Sequence, residues 1–117
     1  MNFELKHFEE KKWRSYKTSS SNQENHENGS NWFEWEFEKN GNAKFLLTRD
    51  NKYTTDSRVR KWAIVKSDKV FLEINNKTEY EITELNETYL TLMTETGVRH
   101  HFTTFFNWLK IMSENNQ

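Results

Sequence analysis

The chain has no cysteine and no proline, and only three glycines among its 117 residues. Without cysteine there is no disulfide framework, no thiolate nucleophile and no sulfur-ligated zinc or iron centre. Long apolar runs are also missing. No segment is long enough to span a bilayer, and the opening "MNFELKHFEEKKW" is charged throughout, without the apolar stretch of a secretion signal. The expectation is a cytoplasmic protein, or an exported one if a signal has been removed. Charge of one sign is lacking too: 17 basic residues face 18 acidic ones, for a net charge of -1. Such a balance leaves no electrostatic footprint for nucleic acid or for an anionic membrane surface. Aliphatic content is low as well. Only 33% of residues are hydrophobic and the mean hydropathy is -1.09, values that lean toward disorder.

What the chain does have is rings. Aromatics make up 15% of it, and large rings restore the burial that the missing aliphatics would have supplied. The length fits one domain over residues 1–117. "WFEWEFE" alternates Phe33, Trp35 and Phe37 with Glu34, Glu36 and Glu38, the period of a strand with one apolar and one wet face. Strand-like segments follow one another: "KWRSYKT" from Lys12, then "WFEWEFE", "AKFLLTR", "RVRKWAIVK", "VFLEIN", "TEYEITEL", "YLTLMTE" and "VRHHFTTF". From Trp32 onward they are separated by short connections such as "KNGN", "SDK", "NNK", "NET" and "TG", which force antiparallel hairpins. An all-β, up-and-down antiparallel meander of about eight strands has exposed edges unless it closes, so a barrel is expected. Residues 19–31, "SSSNQENHENGSN", are polar and aperiodic and read as a long flexible loop. "FFNWLKIM" puts Phe105, Trp108, Leu109 and Met112 on one face, predicting a helix over 105–113 packed on the barrel. Phe3, Leu5 and Phe8 suit a helical turn that plugs the bottom.

Three segments, "KKWRSYK", "WEFEKNGNAKF" and "RKWAIVKSDKVFLEINNKTEYEITELNETYLTLM", together resemble the small bacterial lipocalin-like domains. The resemblance rests on the order of a first-strand Trp13, a W-x-F, an Asn-Gly hairpin, a W-x-I strand and a Y-x-I-x-x-L…L-x-L close, over roughly residues 12–104. Lys11 stands where those proteins usually carry a glycine, so the sharp bend is not assured. The resemblance implies a calycin-like antiparallel barrel without enzymatic activity, binding a small hydrophobic molecule, with residues 19–31 as a lid.

Parity assigns the inward faces. On the candidate ligand wall are Trp35 and Phe37, Phe45 and Leu47, Trp62, Leu72, Tyr80 and Ile82, Leu92 and Phe102, with Phe33, Ile64, Val70, Ile74, Leu90 and Val98 on the same parity. A barrel of about eight strands is either just filled by its side chains or holds one small ligand. Arg60 and His100 share the inner parity, with Arg49 and Glu84 continuing their rows. An inward arginine needs a carboxylate partner, an anionic ligand or water at the rim. Arg60 with Tyr80 and His100 would orient the head of an amphipathic ligand; the alternative is pairing of Arg60 with Glu84.

The remaining motifs read as structural. Adjacent His100 and His101 point to opposite faces and do not make a metal site by themselves. Glu34, Glu36, Glu38, Glu79 and Glu81 lie on the outer parity as a solvated face rather than as catalytic acids. The N-x-S/T matches at Asn28, Asn76 and Asn86 are what an Asn-rich chain produces by chance. No phosphate loop or nucleophile elbow occurs, so neither an enzyme nor a cofactor is expected. A second reading remains open, a filled barrel acting as a monomeric or homodimeric interaction module through Leu46, Phe71, Tyr89, Met93 or the Trp108 helix.

Overall fold

The computed structural model describes residues 5–9, 11–28, 30–50, 52–55 and 60–115. Among them, a single 3-10 turn at Leu5–His7 is followed by β1 (Lys12–Ser20), β2 (Gln23–His26), β3 (Trp32–Phe37), β4 (Asn42–Arg49), β5 (Lys52–Thr55), β6 (Arg60–Lys66), β7 (Val70–Ile74), β8 (Thr78–Leu85), β9 (Tyr89–Met93), β10 (Arg99–Thr104) and helix α1 (Phe105–Asn115). All pairings are antiparallel. The ring runs β1-β3-β4-β6-β7-β8-β9-β10 and closes through β10 on β1, while β2 and β5 sit off it as hairpin extensions of β1 and β4. The expected closed eight-stranded barrel with a C-terminal helix is therefore present, an architecture consistent with a calycin-like fold.

The turns follow their residues. Asn75 and Asn76 both take positive φ, 56° and 59°, and Lys77 N donates to Ile74 O at 3.1 Å. This is the mirror-image two-residue turn whose twist suits a hairpin, and asparagine tolerates that backbone better than other non-glycine residues. Gly41 and Gly97 each close a three-residue loop at φ 88°, with Gly41 N bonded to Glu38 O and Gly97 N to Thr94 O, both at 3.0 Å. A side chain would be strained at that φ whatever the space around it.

Two expectations about the chain path are corrected. Residues 19–31 are not simply a loop: β1 runs on to Ser20 and turns back as β2, paired from Lys17↔His26 to Ser20↔Gln23. Polarity concealed this strand because all four β2 residues are exposed, so neither face selects apolar side chains. The "KYTT" of β5, paired with β4 from Leu46↔Thr55 to Arg49↔Lys52, also went unrecognised. At the N-terminus, Phe8 enters the core at 1% exposure, stacked on Phe37 at 4.2 Å between ring centroids. Phe3 lies outside the described residues.

A bulge in β1 organises the outside of the barrel. The β1–β10 register slips between Ser15 and Lys17, and at the same point the other flank of β1 passes from β3 to β2. Backbone groups left without ladder partners there must be satisfied in other ways. Ser15 O accepts the indole N–H of Trp108 at 3.0 Å. Ser15 Oγ accepts from Phe33 N at 3.0 Å, and Tyr16 O from Glu27 N at 2.9 Å.

Helix α1 thereby docks on the outer face of β1 and β3. Trp108 and Met112 pack there with Trp32, flanked by Tyr16, Leu46 and Ile111. Beneath them, Arg14 bonds Glu34 through Nε at 2.9 Å and through a second guanidinium nitrogen at 2.8 Å. The Arg14 guanidinium lies 3.7 Å from the Trp32 ring centroid and 4.6 Å from those of Phe105 and Trp108. Glu34 is thus not part of a solvated face; the helix covers it to 7% exposure. Of the other outer acids, Glu79 is exposed, and the partly exposed Glu38 and Glu81 make ion pairs with Lys44 and Lys69 at 3.4 and 3.5 Å.

Candidate functional site

The barrel interior divides into a packed end and an open end. At the packed end, Phe8, Phe37 and Trp62 bring their ring centroids within 4.2 to 5.7 Å of one another, and the Trp62 indole donates to Glu38 O at 2.9 Å. Trp13, Leu72, Ile74, Ile82 and Leu90 belong to the same continuous core, which runs on to Trp35, Leu92 and Phe102. Phe37, Trp62, Leu72 and Ile82 were expected on the ligand wall. The structure places them in the core outside the cavity lining, Phe37 and Trp62 because Phe8 packs its ring against both.

The other expected wall residues do come together. Trp35, Phe45, Leu47, Arg60, Tyr80, Leu92, His100 and Phe102 surround a cavity of about 250 Å³. Phe33 and Arg49 join them; their inner parity was readable in the sequence, but not their height along the barrel. The wall is aromatic and interlocked, with Phe33 set edge-on to Phe102 at 5.3 Å and Trp35 against Phe45 at 4.7 Å. Where β4 and β6 part after only Asn42↔Lys61 and Ala43↔Arg60, Arg60 lies over Trp35 and Phe45, 5.5 and 5.3 Å from their ring centroids. Such stacking recovers part of the cost of burying a cation.

His100 projects into the same space, edge-on to Phe33 at 5.8 Å and to Tyr80 at 6.5 Å. Burial pushes its pKa below the ordinary histidine value, so the ring is neutral at pH 7. Its buried Nδ1 makes no hydrogen bond within the protein. At the rim, Arg49 donates to Thr48 O at 2.9 Å. Glu27, whose carboxyl is pushed up by burial and partly held down by Arg49 and Ser15, lies close by. Among the described residues, the cavity lining holds two arginines and no acid.

Glu84 does not face Arg60. The β8–β9 register slips between Ile82 and Glu84, and the extra residue turns Glu84 outward and Leu85, at 7% exposure, inward. Val98, also expected inside, sits half-buried at the rim beside Thr18 and Ser19.

His101 faces away from His100, as alternation requires. Its Nε2 lies 2.7 Å from Ser19 Oγ and its Nδ1 3.3 Å from Thr91 Oγ1, while Thr91 donates to Glu84 Oε1 at 3.2 Å. With the Thr91 proton directed to Glu84, Nδ1 carries hydrogen and Nε2 accepts from Ser19. Burial first, then Lys17 and Arg99, pushes the His101 pKa down to about 4. Beside it, burial first, then Tyr89, Glu84 and Glu24, raises the Tyr16 pKa to about 12.

The lowered histidine pKa predicts a loss of stability on acidification. Between about pH 6.5 and 4 the unfolded chain protonates His101 while the native state does not. Stability then falls with pH over that window by about 1–2 kcal/mol, after discounting for partial exposure. His100 acts with the same sign, and Glu27 with the opposite sign just above pH 4.5. Urea midpoints measured from pH 7 to 4.5 should drop less steeply in His101→Gln than in the parent; parallel curves would remove His101 as the cause.

Outside the barrel, Phe71 and Met93 line a surface groove of about 800 Å³ with Lys69, Glu79, Glu81 and Glu95. Leu46 is engaged by the helix cluster, and the Tyr89 hydroxyl accepts from Asn107 Nδ2 at 3.1 Å. On α1, Phe105, Phe106 and Leu109 are 40%, 83% and 45% exposed. No helix among the described residues is long and apolar enough to cross a membrane.

Compared with known proteins, the chain matches no family model, no curated protein and no solved structure.

Proposed function

We propose that the protein is a non-enzymatic binding protein that holds one small hydrophobic or amphipathic molecule in the open end of its barrel, in the manner of the lipocalin-like domains it resembles. The observation that carries this reading is the cavity of about 250 Å³, walled by aromatic side chains and entered by His100, whose buried Nδ1 lacks a partner. A buried polar atom without a hydrogen bond is costly, and an aromatic cavity offers a ligand apolar contact at roughly 25 cal/mol per Å² of area buried. Affinity would come from the rings and orientation from the few polar groups among them. No covalent step is part of this reading, and no cofactor is required for it.

Native mass spectrometry before and after organic extraction tests it. A discrete added mass that disappears on extraction is the expected result. A tryptophan emission signal that saturates with an added apolar probe, and is reduced in Trp35→Phe, would place that molecule at this wall. An unliganded mass together with no saturable probe would reject the reading. The second reading, a protein-interaction module, draws on the exposure of Phe105, Phe106 and Leu109 along one side of α1. Sedimentation of the protein and of Phe106→Ser over a range of concentrations decides it, a parent mass that rises with concentration only when Phe106 is present being the positive outcome.

A further inference from the structure

We infer that the bound molecule has an uncharged, hydroxyl-rich head, a polyol or glycoside in chemical class, which rests on the inner face of the β1–β2 hairpin while an apolar body the size of one ring sits in the aromatic cavity. The inference rests on the proposed binding function and specifies the head of the molecule bound.

The ladder fixes where that hairpin face points. Beyond the β1 bulge the register is regular, with Thr18 opposite His100 and Ser19 opposite Arg99. Residues directly opposite one another in an antiparallel pair share a face, and His100 lines the cavity. Thr18 therefore faces inward, and so does Ser20 two residues on. Across the hairpin, Asn25 pairs with Thr18 and Gln23 with Ser20, which puts both carboxamides on the same side. These four residues line, with Ser19 and Val98, a second hollow of about 210 Å³. It adjoins the aromatic cavity at the Thr18–His100 pair, so the cavity wall runs on into a polar mouth.

The hairpin sorts its side chains by charge. On the outer face, the Glu24 carboxylate lies 3.7 Å from Lys17 Nζ and 2.9 Å from His26 Nε2, and Ser19 Oγ is bonded to His101. The inner face carries two hydroxyls, two carboxamides and no charge. None of these four side chains is engaged in a hydrogen bond or ion pair among the described residues. Exposure to water alone does not require such a division between the two faces.

Hydroxyls and carboxamides both donate and accept, so together they match a head built of O–H groups. An ionised head placed on them would have no opposite charge on that face. Elsewhere on the rim, Arg49 donates to Thr48 O at 2.9 Å and has the Glu27 carboxyl near it. The body follows from the cavity, whose volume of about 250 Å³ has room for about eight waters at about 30 Å³ each, enough for one ring. Ring contact there supplies affinity, and the hairpin supplies orientation.

Calorimetric titration of the intact protein with phenyl glucoside, phenol, benzoate and benzylammonium tests the inference, since the four share one ring and differ in the head. Phenyl glucoside is expected to bind saturably and at least tenfold more tightly than each of the others. Gln23→Ala combined with Asn25→Ala should bring phenyl glucoside to within about threefold of phenol and leave phenol within about twofold of its parent affinity; Glu24→Ala, on the outer face of the same hairpin, should change neither. If any of the other three comes within tenfold of phenyl glucoside, or if the double variant keeps the advantage of the glucoside, the uncharged-head inference is wrong and the cavity reading stands. If none of the four binds, the molecule extracted from the native protein decides: an uncharged, hydroxyl-rich head supports the inference, an ionised or hydroxyl-free one overturns it while the cavity reading stands, and the lack of any extractable mass takes both down. A circular-dichroism melt of each variant establishes that it is folded before its affinities are compared.

Discussion

Replacing Glu34 by alanine is expected to destabilise the protein by about 3–5 kcal/mol, because it strands the Arg14 guanidinium beneath α1. Arg14 and Glu34 keep side-chain exposures of only 13% and 8%. Water cannot take over the role of the lost carboxylate without lifting the helix. The rings of Trp32, Phe105 and Trp108 around the guanidinium offset part of the cost, which favours the lower half of that range. Removing both charges should be much milder than removing one, so Arg14→Met combined with Glu34→Leu should recover most of the loss. Urea unfolding of the two single variants and the double variant gives the coupling directly. A Glu34→Ala loss below about 1 kcal/mol would mean that Arg14 reaches water by another route, and that burial under the helix is looser than its geometry suggests.

Trp108→Ala should cost a similar amount, about 3–5 kcal/mol, for a different reason. Trp108 is 5% exposed, stands edge-on to Trp32 at 5.8 Å and donates to the carbonyl that the β1 bulge leaves at Ser15. Its loss empties the helix interface and orphans that carbonyl together. Trp108→Phe separates the two effects, keeping much of the ring burial and giving up the hydrogen bond, for about 1–2 kcal/mol plus the smaller ring. Hydrogen exchange should then show faster opening of α1 and of β1 around Ser15. The cavity lies on the other face of the same wall, so ligand affinity in the still-folded Trp108→Phe should stay within about twofold of the parent. Exchange that quickens equally throughout the barrel would show that the helix is part of one cooperative unit with it, rather than a separable layer.

The barrel was largely legible in the sequence because alternation and short turns leave few choices. Trp35, Phe37, Leu72, Ile82, Leu92 and Phe102 are where parity put them, and the helix begins at Phe105 as its spacing requires. What parity cannot register is a skipped residue: the slip at Thr83 reversed Glu84 and Leu85 with no compositional warning. Nor does alternation distinguish a wet face from one covered by a distant element. Glu34 shares its parity with Glu36 and Glu38, and only the docking of α1, some seventy residues on, buries it. The exposed β2 and the "KYTT" of β5 carry no apolar period that would announce them.

The site was half legible for a related reason. Facing inward is a property of a residue's parity, but lining the cavity also depends on height along a tilted, staggered wall. Phe37 and Phe45 look alike in the sequence, and Phe8 separates them by filling the level of the first and stopping below the second. The orphaned nitrogen of His100 had no sequence signal beyond its place between Val98 and Phe102.

The β1–β10 seam also bears on how the protein is made. Across it Ser19 bonds His101, 82 residues apart, and just outside it Ser15 O accepts from Trp108 of α1, 93 residues apart. A nascent chain can therefore zip its hairpins as they emerge, but the ring stays open until β10 has cleared the ribosome exit tunnel. Until then β1 and the last completed strand each present a bare hydrogen-bonding edge. The interval before β10 pairs with β1 is when these edges are open to a chaperone, and a chain stalled short of β10 is left with open edges in place of a smaller barrel.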